Sequence, residues 1–271
     1  MDVLYLAPSW LICLGVAVMM LAAMEVGYRL SRHRAGVTER AHGTFGGLTA
    51  AVLALLGLLL AFSFSLSSSR YEQRQEVLTR EVSAIGTCYL RADLLDEPAA
   101  PRVKQLIRTY VQGRILAHNA GFDREKTTLA TAETDRAQNA IWKIIVAEQR
   151  RDPPLPTARM MLMTDAVNEM FDARTKRNQT YRVHVSEAVV FLLMLNGVAA
   201  AFLVGCTFGM AGTRNAMAWL AFVLLTSMMV YAILDMDRPR RGIIRVGQQP
   251  MLELRDDLNG DATGSGGAGV D

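Results

Sequence analysis

Leu58-Leu59-Leu60-Ala61-Phe62-Ser63-Phe64-Ser65-Leu66-Ser67-Ser68-Ser69-Arg70-Tyr71-Glu72-Gln73-Arg74 is the stretch whose reading decides the fold. Leucines give way to phenylalanines, then serines, then arginines, and neither Pro nor Gly interrupts them. Such a gradient predicts one helix that leaves a bilayer and continues into water. Working upstream, 44–69 is 26 residues without a charge. Roughly 20 apolar residues suffice to cross about 30 Å of hydrocarbon. Three further uncharged runs qualify: 3–24 with 22 residues, 188–213 with 26 and 215–234 with 20. Hydrocarbon offers backbone polar groups no partner, so runs of this kind must be helical. The expectation is an all-α membrane protein with transmembrane helices at about 3–25, 44–69, 188–212 and 215–234. A helical extramembrane stalk joins the second helix to the third.

The 29 Lys+Arg and 26 Asp+Glu lie almost wholly outside these runs. A purely soluble domain, a disulfide scaffold, a collagen and a disordered chain are therefore excluded. The first run follows Asp2 rather than a basic segment, and no small-x-small cleavage site follows it, so it reads as a retained helix. Four crossings put both termini and the central segment on one side. The two short connectors on the other side carry Arg29, Arg32, Arg34, Arg40 and Arg214. Basic residues near the membrane are more numerous on the central-segment side, which favours that side as cytoplasmic. The first helix, with its arginines on the connector side, argues the reverse. The residues alone leave orientation open.

Three regions follow from this reading: 1–69 with the first two membrane helices, a helical domain over 70–187, and 188–235 with the last two. The central segment has 19 basic and 16 acidic side chains. The second membrane helix is expected to run on to Leu95, where Asp96-Glu97-Pro98 breaks it. Val103, Leu106, Ile107, Tyr110 and Val111 recur at helical spacing. Another helix is expected at 128–150, stopped by Asp152-Pro153-Pro154-Leu155-Pro156. A last one starts near Thr157 and runs into the third membrane helix, with Met160, Met163, Val167, Met170 and Phe171 as its apolar stripe. The tail, 236–271, is expected to be disordered from about 256, where Gly, Ala, Ser, Thr and Asp dominate.

Cys13, Cys88 and Cys206 have no metal-ligand spacing, and His33, His42, His118 and His184 form no HExxH pattern. No phosphate-binding loop or nucleophile elbow occurs. The expectation is no enzyme and no catalytic residue, no metal, no cofactor and no nucleic-acid partner. Gly197, Ala201, Gly205 and Gly209 share one face of the third membrane helix. They serve close helix packing, within one subunit or around an oligomer axis. Glu25 is one turn before Arg29, which suits an i,i+4 pair. Ser63 and Ser67, extended by Arg70 and Arg74, could line an aqueous path with Phe62 or Phe64 as an apolar constriction. A helix that merely leaves the membrane needs the same gradient, so both readings stand.

Gly57 to Ser65, Arg70-Tyr71-Glu72-Gln73-Arg74, Glu81, Ala84-Ile85-Gly86-Thr87 and Tyr89 to Leu95 together resemble a bacterial membrane family with a bestrophin-like domain of unknown function. Bestrophins are pentameric anion or cation channels with four membrane helices per subunit and cytoplasmic helical domains. Leu60-Ala61-Phe62 is similar to the Leu-Gly-Phe at the bestrophin neck, and Tyr71-Glu72-Gln73-Arg74 to the aromatic-Glu-x-Arg segment beyond it. Leu58 would be the next neck residue. The resemblance implies a homo-oligomer in the bacterial inner membrane, with the central domain and both termini cytoplasmic. It further implies monatomic ions as candidate permeants, Leu58, Phe62 and Phe64 at a constriction, and Ser63, Ser67, Arg70 and Arg74 lining the path or setting ion preference. No acidic cluster matches a calcium clasp. The alternative is a membrane-anchored scaffold or sensor that binds a protein partner and conducts no ions.

Overall fold

The computed structural model describes residues 8–32, 39–121, 123–181, 183, 186–237, 244 and 246–264. Its helices are α1 (Ser9–Arg32), α2 (Glu39–Arg91), a 3-10 turn (Ala92–Leu94), α3 (Ala99–Asn119), α4 (Arg124–Gln149), α5 (Thr157–Thr180), α6 (Glu187–Met210), α7 (Ala216–Asp237) and α8 (Gln249–Gly264). No strand occurs among the described residues. Helices α1, α2, α6 and α7 are long and apolar enough to cross a membrane. Residues 3–7, the expected start of the first helix, lie outside the described residues. The helix ends at Arg32 rather than near 25, with Arg29 and Arg32 in its last turn, where cations complement the helix dipole.

The chain divides into two compact units, 1–72 with 184–245 and 73–183 with 246–271. Helix α2, with 53 residues, contributes to both. In the membrane unit α1 packs along α6 and α7. Leu56 of α2 joins Cys13, Val190, Leu193, Ala200, Val230, Ile233 and Leu234 in one apolar cluster. Val16, Met20, Met24, Tyr28, Ala201, Trp219 and Val223 form a second. The small-residue stripe faces α1. A Cβ on Gly205 would fall on the Met24 carbonyl, and one on Gly209 on the Tyr28 carbonyl. Gly27 of α1 meets the Phe202 carbonyl in the same way. Bare glycines thus let two backbones touch, which no larger residue allows.

In the second unit α3 and α4 form a hairpin. Gly121 takes the turn with φ 55°, and the Asp123 carboxylate accepts from Lys126 N at 3.0 Å to cap α4. Ile85, Val103, Ile107, Tyr110, Val111, Ile141, Ile145, Met163, Val167 and Met170 are buried. Two expectations are corrected. Helix α5 does not run into α6: it ends at Thr180, and α6 begins at Glu187 with Ser186 at its N-cap position. Tyr181, Val183 and Ser186, between them, lie in no helix. The tail is not disordered from 256, because α8 extends to Gly264. Met251 and Leu258 are buried, Leu254 lies 3.7 Å from where a Gly86 Cβ would stand, and the Leu258 carbonyl accepts from Arg108 Nε at 2.9 Å. The last residues of the expected tail, 265–271, lie outside the described residues.

Candidate pore helix

Successive residues of an α-helix are rotated by about 100°, so Phe62 and Ser67 point roughly 140° apart. Helix α2 uses that difference to keep two faces. Leu58 is 51% exposed and Phe62 65%, while Ser63 is nearly buried and Ser67 wholly so. The open face continues with Ser65 and Ser69. Phe64 stands to the side, 37% exposed. The structure therefore brings Leu58 and Phe62 onto one face and Ser63, Ser67, Arg70 and Arg74 onto the other. Arg70 Nη1 is 3.8 Å from the buried Asp237 carboxylate of α7. Arg74 is buried and donates from Nη2 to the Val183 carbonyl at 3.0 Å. The sequence-predicted group is split: Ser63 and Ser67 turn toward protein, and Ser67 Oγ is buried there without a hydrogen-bond partner.

The inward face of α2 next presents Glu81, fully buried. Arg114 of α3 donates Nε to Oε1 at 2.7 Å and Nη2 to Oε2 at 3.0 Å. Arg177 of α5 donates Nη1 to Oε2 at 2.7 Å. Tyr110 adds a longer hydroxyl contact of 3.4 Å. Burial pushes the Glu81 carboxyl up, but Arg114 and Arg177 outweigh it and hold it below the usual carboxylate range. Sequence patterning missed this cluster, because partners from three helices share no spacing. The inward position of Glu81, seven residues from Arg74 and three from Leu78 and so on their face of α2, was its available signal.

On the connector side Glu25 receives Arg29 Nε at 2.7 Å, the expected pair, and also Arg214 Nη2 at 2.7 Å. The Arg214 guanidinium lies 5.7 Å from the Tyr28 ring and 5.5 Å from that of Trp219. This clamp ties the end of α1 to the α6–α7 turn. Of the apolar stripe whose exposure on the stalk would mark a docking surface, Met160, Met163 and Met170 are buried, and Phe171 is half-buried with its ring 6.5 Å from that of Trp142. Among the described residues no group of His, Cys, Asp and Glu could hold a metal ion.

Four apolar helices, one of them running on into a helical second unit, define a multi-pass all-α membrane protein. The chain belongs to the bestrophin-like family: the model of the Bestrophin-like domain matches residues 10–251. Its fold is shared with the crystal structure of a bacterial bestrophin homologue from Klebsiella pneumoniae, at 14% identity and a TM-score of 0.65, over 93% of this chain and 97% of that one. A tyrosine-to-alanine variant of that homologue aligns at 15% identity with a TM-score of 0.64, over 93% and 97%. A membrane protein with a glycine-to-alanine substitution aligns at 16% and 0.65, over 93% and 97%. No curated protein matches significantly by sequence.

Proposed function

We propose that this protein is a homo-oligomeric channel for monatomic ions, with the open face of α2 lining the path and no enzymatic activity. The observation that carries the reading is the exposure of Leu58 and Phe62 on a helix whose opposite face, with Leu56, Ser63 and Ser67, is buried. A ring of such apolar side chains narrows a pore and gates it by dewetting. Arg70 and Arg74 then act from behind the path, as charges fixed in the wall, rather than as lining groups. Membership of the bestrophin-like family supports the oligomer and the permeant class. The same membership supports an inner-membrane location with the helical unit and both termini in the cytoplasm. The scaffold alternative is weakened, since Met160, Met163 and Met170 pack inside the unit.

Reconstitution in planar bilayers tests the reading. The expected result is a reversal potential that moves with an imposed salt gradient, and a larger unitary conductance for Phe62→Ala. Reversal potentials indifferent to every monatomic gradient would overturn it.

A further inference from the structure

We propose that the end of α1 and the α6–α7 turn together bind one anionic phospholipid, its phosphate held between Arg29 and Arg214. Glu25 accepts Arg29 on Oε1 and Arg214 on Oε2, both at 2.7 Å, so the two guanidiniums stand side by side on one carboxylate. No second acid meets either of them among the described residues. One carboxylate cannot balance two cations. Arg32, exposed and on the helix face of Glu25 and Arg29, adds a third. Over 25–43 and 211–215 the sequence holds five arginines against two acids. The surplus is open to a ligand, because the side chains of Arg29 and Arg214 are 75% and 58% exposed. Each guanidinium has five donors and gives one to Glu25, so an anion can join without displacing it. Phosphate is the anion whose oxygens match guanidinium forks.

The surroundings select a lipid over a free anion. Arg29 and Arg32 lie in the last turn of α1 and Arg214 just before α7, and both helices are long and apolar enough to cross a membrane. Next to these arginines the helix walls are apolar and exposed: Val26 and Leu30 on α1, Met217 and Leu220 on α7. Acyl chains cover such walls while a charged headgroup meets the cations at the helix ends. Tyr28 and Trp219, residue types that settle at headgroup depth, flank the Arg214 guanidinium. Asn215 Oδ1 accepts from Ala218 N at 3.1 Å and fixes the start of α7 beside it. Arg214 is thus held in place before a lipid arrives, which lowers the entropy cost of binding. Such a lipid site works whether or not the protein conducts ions.

Native mass spectrometry of the purified full-length protein, titrated with phosphatidylglycerol or with phosphatidylcholine of the same chains, makes the test. The expected result is saturable retention of phosphatidylglycerol in preference to phosphatidylcholine. Arg29→Gln and Arg214→Gln each leave the other arginine on Glu25. Each should raise the half-saturating phosphatidylglycerol concentration roughly tenfold, as the loss of one charge-assisted hydrogen bond implies. Arg102→Gln, the same change of charge at an exposed position of α3, should leave it unchanged. Equal retention of the two lipids would overturn the proposal. A preference that both substitutions leave intact would also overturn it, by placing the lipid elsewhere, and an equal loss in Arg102→Gln would reduce it to net charge. Inorganic phosphate that competes as well as phosphatidylglycerol would replace the lipid with a free anion and overturn it too.

Discussion

Gly205 and Gly15 are both helical glycines of the membrane unit, yet they face different consequences. A Cβ on Gly205 would meet the Met24 backbone, whereas one on Gly15 meets nothing within 4 Å. Gly205→Ala should therefore force α1 from α6 and cost about 1–3 kcal/mol, as overpacking does. Gly15→Ala should be neutral or slightly stabilising through helix propensity. Thermal midpoints of the two variants in one detergent make the comparison, and equal losses would contradict it. Glu81 carries a second prediction. Glu81→Ala leaves two guanidiniums buried without their carboxylate and should cost roughly 3–5 kcal/mol. The folded carboxyl lies below its ordinary value of 4.5, so its contribution is complete above that pH and is lost as pH falls through the folded value. The stability gap between the wild type and Glu81→Gln should accordingly narrow on acidification below 4.5. A gap that stays constant to low pH would show that Glu81 acts without its charge.

Helix α8 shows what a short element needs in order to persist. Its contacts within the second unit are few: buried Met251 and Leu258, the Arg108 bond to the Leu258 carbonyl, and Asp261, which accepts from the Tyr89 hydroxyl at 2.9 Å. Lys104 Nζ adds a 3.6 Å approach to the same carboxylate. Leu258→Asp should release this helix alone, because its docking is local. Hydrogen exchange over 249–264 should become fast while α3 and α4 keep their protection; loss of protection in all three would mean that α8 is part of the core. The element was legible in principle, since Met251, Leu254 and Leu258 are spaced i, i+3 and i+7, but so short an apolar stripe in a Gly- and Asp-rich tail carries too little signal. The membrane helices were legible because lipid imposes length and composition on each run separately. The two faces of α2 were only half legible. Periodicity groups Ser63, Ser67, Arg70 and Arg74 together, but whether that face meets water or protein depends on Asp237 and Val183, whose positions local sequence does not specify.

For the whole molecule the two faces of α2 make a geometric claim about assembly. An apolar face that carries Leu58 and Phe62 can serve as a constriction only if several copies present it to one axis, so the path requires a closed ring. Phe62 of one copy must then approach Phe62 of the next, whereas Ser67, fully buried within its own subunit, must not. Single cysteines at these positions separate the cases, because a disulfide forms only when Cα atoms come within about 7 Å. Cys13, Cys88 and Cys206 are buried and form no disulfide, so they can be replaced by Ala or Ser to give a clean background. In that background Phe62→Cys should yield intersubunit dimers on mild oxidation in the membrane, and Ser67→Cys should not. Native mass spectrometry of the parent protein should give one closed subunit number. Dimers from both cysteines would mean that α2 turns its polar face inward in the assembly. Dimers from neither, with a monomeric mass, would leave no axis for Phe62 to face, and the channel reading would fall with it.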